Sequence, residues 1–232
     1  MSKIVFNTYD KHVLKHFPIK PAKDFLPPWY KGMSADIDGV PTVAKCMPVR
    51  DMVTAGYIMP MPFEQKCVVE EDPKGNETVS RDYPVELPGQ FSAKVNLMTH
   101  PWSGHSHEQC PIHIDGAKKN YFKLQVPWQI VTPKGYSCLF IQPFYHFQEN
   151  FTVLPAIIDT DTSDMINQNL PCVHRKHEFN ILPGDPVVQI IPFKRDEWIS
   201  EHKLIKRDFS SKMNFFLHNM YKRAFHQKKS FK

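Results

Sequence analysis

The residues best suited to chemistry crowd into one stretch, His100-Pro-Trp-Ser-Gly-His105-Ser-His107-Glu-Gln-Cys110-Pro-Ile-His113-Ile-Asp115. Imidazoles two positions apart on a strand project to the same side, which is how β-barrels present two metal ligands. A cupin-type site also wants a glutamate several residues after the second histidine and another histidine after a later turn. Here Glu108 follows His107 at once, and Asp185-Pro-Val-Val-Gln189 brings no histidine. His113-Ile-Asp115 has instead the form of the first half of the facial triad that holds non-haem Fe(II). In that reading His174 or His177 is the distal ligand, and Arg195 anchors the carboxylate of a 2-oxo acid such as 2-oxoglutarate. Pro111 and Gly116 bracket the motif and favour a turn, and twelve histidines in the chain supply a downstream partner by chance. The simpler reading of His107, His113, Asp115 and His174 is a solvated polar loop and incidental imidazoles.

Three further places carry polar groups of interest. Asp159-Thr-Asp161, with Asp164 after it, is rich in oxygen ligands but lacks the glycine and terminal glutamate of a calcium loop. Acidic residues at the end of a strand more often cap a turn or a following helix, the role favoured here. Gln189 stands alone among the apolar residues of Val187-Val-Gln-Ile-Ile191, so its amide must find backbone partners or face a pocket. Lys194-Arg195-Asp196-Glu197 has charges that can pair locally. A cavity where Gln189, Asp159 and Asp161 meet, near Arg195, is the expected pocket. No Gly-rich phosphate loop, Ser-His-Asp order or nucleic-acid signature is visible.

The elements that must position these residues are mostly strands. Twenty-one prolines against nine glycines, spread along 232 residues, exclude long helices from most of the chain. Apolar, β-branched and aromatic runs at Tyr121–Val126, Trp128–Val131, Tyr136–Gln142, Thr152–Ile158, Phe179–Leu182 and Val187–Phe193 read as strands. Two turns stand out: Thr132-Pro-Lys-Gly135, expected to close a β-hairpin, and Leu182-Pro-Gly-Asp185, whose central Pro-Gly is the type II signature and which repeats that logic. A second hairpin joins Lys66–Glu70 to Glu77–Arg81. Lys45 to Gly56 reads as a short helix, with Pro48 in its first turn and Gly56 just past its end. Residues 1–44 form a Pro-rich arm. Phe209, Met213, Phe216, Leu217, Met220 and Ala224 share one helical face, so a basic helical tail is expected over 199–232.

The expectation is an all-β domain over 45–198, a jelly-roll or cupin-like sandwich, flanked by the arm and the helix. The net charge of +5 sits in the tail, where nine Lys/Arg face four Asp/Glu from Asp196 onward; a binding face on the body therefore cannot be read from it. Five scattered cysteines, none in a C-x2-C pair, argue against a disulfide framework or a zinc ribbon and fit a reducing compartment. No leader-like segment and no membrane-length apolar run is legible.

Several of these segments together resemble a known family. Trp128…Thr132-Pro-Lys-Gly-Tyr-Ser137, Asp159-Thr-Asp161, Pro183-Gly-Asp-Pro-Val-Val-Gln189, Pro192-Phe-Lys-Arg195 and Trp198 are similar to motifs of a family found in tailed bacteriophages, marine ones included, and in some bacteria. Leu26-Pro-Pro-Trp-Tyr-Lys31, Cys46-Met-Pro-Val-Arg-Asp51 with Gly56-Tyr57, and Tyr221-Lys-Arg with Lys229-Ser-Phe231 extend the likeness over nearly the whole chain. The resemblance implies a virus-encoded protein of the host bacterial cytoplasm or the virion, and no particular reaction. The leading expectation is a non-enzymatic binding or structural protein without a cofactor, homo-oligomeric through arm or helix, with neither a membrane nor a nucleic acid as partner. The alternative is an Fe(II)/2-oxo-acid oxygenase, and a small-molecule binder in the sandwich mouth is a third class.

Overall fold

The computed structural model describes residues 2–71, 73, 77–82, 115–118, 122–124, 126–162, 170–174, 176–204 and 226–232. The described residues are predominantly strands in antiparallel sheets, with few helices. The strands are β1 (Val5–Asn7), β2 (Lys20–Pro21), β3 (Asp36–Ile37), β4 (Val40–Pro41), β5 (Tyr57–Pro60), β6 (Gln65–Glu71), β7 (Glu77–Asp82) and β8 (Phe122–Leu124). They continue with β9 (Gln129–Val131), β10 (Tyr136–Ile141), β11 (Phe151–Val153), β12 (Ala156–Ile158), β13 (Leu170–His174), β14 (Glu178–Ile181) and β15 (Pro186–Lys194). The three α-helices among the described residues, α1 (Lys11–His16), α2 (Pro28–Lys31) and α3 (Met47–Val53), are short and lie in the first quarter of the chain.

The largest sheet runs β12-β10-β15-β5-β2. Its register sets Phe140 opposite Ile190 and Ile190 opposite Tyr57, with Val188 opposite Met59. Because side chains alternate, Tyr57, Met59, Cys138, Phe140, Val188 and Ile190 all fall on one face. That face is fully buried and forms half of the core. Leu124 of β8, Phe151 and Val153 of β11, Cys67 of β6, Phe179 and Ile181 of β14, and Trp128 and Ile130 complete it. Burying each such side chain is worth about 1.5–3 kcal/mol. Cys138 is a buried thiol, as its place in an apolar strand implies.

Both sequence turns form, but neither closes a hairpin. Tyr136 N donates to Pro133 O at 3.2 Å across Lys134-Gly135, and Asp185 N donates to Leu182 O at 3.0 Å across Pro183-Gly184. Gly135 and Gly184 take φ of 86° and 91°, the left-handed position that a type II turn reserves for glycine. Yet β9 pairs with β1 while β10 pairs with β12 and β15. Likewise β14 pairs with β6, whereas β15 pairs with β10 and β5. The turns are corners at which the chain passes from one sheet to another. Thr152–Ile158 behaves in the same way. It breaks at Leu154-Pro155 into β11 and β12, which belong to different sheets. Proline has no N–H to continue a ladder, so the chain turns there.

The end of α3 is tied to the second face of the large sheet, where Gln189 Nε2 donates to Met52 O and Ala55 O. Pro48 occupies the first turn of α3 and Gly56 follows its last, at φ 66°. A Cβ on Gly56 would stand 2.0 Å from Ile190 O, so only glycine lets the chain leave the helix this close to β15. The expected β6–β7 hairpin is present, with Val69 opposite Val79. The first 44 residues contribute β1 to β9 and β2 to β5, and so are woven into the sheets. The helix expected over 209–224 falls outside the described residues, but Phe231 beyond it packs against the core. Lys232 O accepts from Tyr57 Oη at 3.2 Å, and Asp51 on α3 holds His226 at 3.0 Å and Lys229.

Candidate functional site

Three segments far apart in sequence converge at the corner where β9 hands over to β10. The Thr132 and Thr160 hydroxyls meet at 2.7 Å, and Thr132 N donates to Thr160 O at 3.2 Å. Ser137 Oγ donates to Asp159 Oδ1 at 2.7 Å, and Gly135 N donates to Asp161 Oδ2 at 2.8 Å. Arg195, just past the end of β15, closes the group. Its backbone N–H donates to Gly135 O at 2.8 Å, and Nη1 donates to Asp161 Oδ1 at 2.9 Å, Ser137 Oγ at 3.0 Å and Tyr136 O at 3.2 Å. Nη2 donates to Asp161 Oδ2, and Nη1 also lies 3.1 Å from Asp159 Oδ1.

The Asp161 side chain is 1% exposed, while Asp159 beside it is 61% exposed. The Arg195 guanidinium, helped by the Gly135 N–H, holds the Asp161 carboxyl down to about 2. The same contact raises Arg195. Deeper in, the Thr160 hydroxyl donates to Cys138 Sγ at 3.4 Å, and burial pushes that thiol up, away from thiolate chemistry.

Gln189 is elsewhere. It lies six positions before Arg195 along the strand, about 20 Å at the usual rise. Its Nε2 donates to Met52 O at 3.0 Å and Ala55 O at 2.8 Å, and its Oε1 accepts from Phe144 N at 3.0 Å. The amide thereby joins carbonyls at the end of α3 to the loop after β10, and it is 1% exposed. The pocket expected from Gln189, Asp159 and Asp161 together is therefore not formed. Asp159, Asp161 and Arg195 meet at one end of β10, and Gln189 sits near the other.

Among the metal candidates, His107 and His113 lie outside the described residues. Asp115 is exposed, and the backbone of His174 pairs with Phe151 in β13. His177 Nε2 lies 3.0 Å from the Lys118 ammonium, which brings the segment after Asp115 beside His177. No group of three or more His, Cys, Asp and Glu suited to a metal ion occurs among the described residues. Within them, no helix is long and apolar enough to cross a membrane.

No family model matches the chain, and no curated protein matches it.

One feature absent from the sequence reading is an aromatic patch beside Gln189. Trp29 of α2 donates its indole N–H to Tyr145 O at 2.7 Å. Its ring lies 6.0 Å from Tyr145 and 5.7 Å from Phe147, which are 6.2 Å from each other. Tyr145 and Phe147 both hold left-handed backbone, at φ 62° and 50°. Such conformations are costly for bulky residues and persist only where the surroundings enforce them. Phe147 is 69% exposed. Nothing in Phe144-Tyr-His-Phe147 signals the strained half of the patch.

Proposed function

We propose that this chain is a non-enzymatic structural or binding module of phage type, built on a jelly-roll or cupin-like sandwich and acting in the host cytoplasm or the virion. The observation that carries this reading is where the motif side chains go. Gln189 spends its amide on three backbone partners, and Arg195 spends its guanidinium on Asp161, Ser137 and Tyr136. Groups that in an enzyme would grip a substrate here tie strands, a helix end and corner turns together. Passage of the chain between sheets at Pro133–Gly135, Leu154-Pro155 and Pro183-Gly184 supports a sandwich of the jelly-roll kind.

The alternative, an Fe(II)/2-oxo-acid oxygenase, has one contact in its favour: Lys118 brings the neighbourhood of Asp115 to His177. The described residues do not fit it well. His177 Nε2 faces an ammonium, and Arg195 would have to leave Asp161 to take a 2-oxo acid. Metal analysis of protein purified without chelator, followed by anaerobic Fe(II) addition, tests the proposal. Metal-free protein that binds no iron is expected. Stoichiometric iron lost on substituting His113, Asp115 or His174 would overturn it.

A further inference from the structure

Far from the Arg195 corner in sequence, α1 carries two imidazoles of its own. His12 and His16 are four positions apart, so they stand one above the other on one helical face. Both are exposed, and their ring centres lie 4.7 Å apart. Two histidines at this spacing are what a helix offers a metal ion. The helix that carries them is well anchored. Asp10 Oδ1 caps it, accepting from His12 N at 2.7 Å and from Val13 N at 3.1 Å, and Val13 is buried in the core. Phe17 flanks both rings, 5.8 Å from His12 and 6.5 Å from His16. Lys11 and Lys15 occupy the neighbouring stripe, about 100° round the helix.

The ring spacing also bears on which ion fits. A first-row ion sits about 2.0–2.1 Å from an imidazole nitrogen, and hence about 3.2 Å from the ring centre. Ring centres 4.7 Å apart subtend about 95° at such an ion. That is close to the right angle between adjacent corners of a square-planar or octahedral ion, and well below the roughly 109° of a tetrahedron. Tetragonal coordination by nitrogen and oxygen is the habit of Cu(II) and Ni(II), whereas Zn(II) prefers the tetrahedron. No third His, Cys, Asp or Glu joins the pair in a metal-suited group among the described residues, which leaves the other positions to water.

We infer that His12 and His16 form a two-imidazole site for a tetragonal divalent ion, Cu(II) in preference to Ni(II), with water completing the coordination. A helix of six residues is too short to be stable by itself, and an ion held across its one full turn clips that turn in place. Because the unfolded chain does not hold the two rings together, the ion stabilises the fold by mass action. The site shares no residue with His113, Asp115 and His174. Fe(II) also stands low in the affinity order, so this site and the oxygenase reading can each fail alone.

The test is calorimetric titration of the full chain, freed of metal by chelator, with CuCl2. Other histidines in the chain can also take copper, so the decisive variant is L14H/H16L. It keeps all twelve histidines but sets the pair two positions apart, on opposite sides of the helix. Wild type is expected to bind one ion that L14H/H16L binds about 100-fold more weakly, because a broken chelate loses the effective concentration of its second arm. H12Q, a change at an exposed position, should show the same loss with unchanged far-ultraviolet circular dichroism. CuCl2 should raise the thermal midpoint of wild type more than that of either variant. The electron paramagnetic resonance of the wild-type complex should be tetragonal, with two imidazole nitrogens. A wild type that binds no copper, or folded variants that bind it as tightly as wild type does, would overturn the inference.

Discussion

Arg195 meets the Asp161 carboxylate with both of its terminal nitrogens, Nη1 on Oδ1 at 2.9 Å and Nη2 on Oδ2. The fork is planar and bidentate, a geometry lysine cannot reproduce. It joins residues 34 positions apart and locks the end of β15 onto the corner between β9 and β10. Ser137, Gly135 and Asp159 fill the remaining hydrogen-bonding positions around it.

Asp161 should make acid stability steep. Its folded-state pKa is held at about 2, below the roughly 3.9 of an unfolded aspartate. A lowered carboxylate stabilises the fold fully above its unfolded pKa, and the contribution fades as pH falls through the folded value. The stability difference between wild type and D161N is thus expected to shrink from about pH 5 to about pH 2 in denaturant titrations. A difference that stays constant over that range would contradict the assignment.

Gln189 should matter for stability far more than its isolation suggests. Q189A orphans Met52 O, Ala55 O and Phe144 N, each buried or partly so. The expected loss is about 1–3 kcal/mol per unsatisfied group, with faster amide exchange in α3. Q189E keeps the acceptor and removes the donor, so it should lose the helix end but retain the Phe144 contact. Hydrogen exchange of the two regions separates these effects.

Gly56 should tolerate no side chain. An added methyl would lie 2.0 Å from backbone Ile190 O at a φ of 66°, so the clash and the strain act together. G56A is expected to cost more than ~1 kcal/mol, read as a lowered urea midpoint at an unchanged slope. An unchanged midpoint would mean that α3 sits further from β15.

Gln65 offers a change of the opposite sign. It is fully buried, and neither Nε2 nor Oε1 has a hydrogen-bond partner among the described residues. Replacing an unsatisfied amide by an apolar group of similar size should stabilise, so Q65M is expected to gain about 1–3 kcal/mol. A loss instead would show that an interior water or a polar ligand satisfies the amide.

The sequence and the structure part company in an instructive way. Proline and glycine preferences are local, so the turns at Pro133–Gly135 and Pro183-Gly184 and the exit of α3 at Gly56 were legible. Strand partners are chosen by the core. Phe140 and Ile190 must face Phe151 and Phe179, so strands that flank one turn separate into different sheets. No two-residue preference encodes that choice. The amide of Gln189 was legible as a group in need of partners, and backbone groups supply them. The Arg195–Asp161 fork was not, because it forms only once β10 and β15 pair. The left-handed backbone of Tyr145 and Phe147 was hidden too, since no residue there favours it.

The central claim, that the motif side chains hold the sheets together, is tested most directly by a double-mutant cycle across Arg195 and Asp161. Urea denaturation would be measured for wild type, R195M, D161L and the double variant. The expected result is strong coupling, with each single change costing about as much as both together. Additive effects, with R195M as stable as wild type, would contradict the claim and release Arg195 for a ligand.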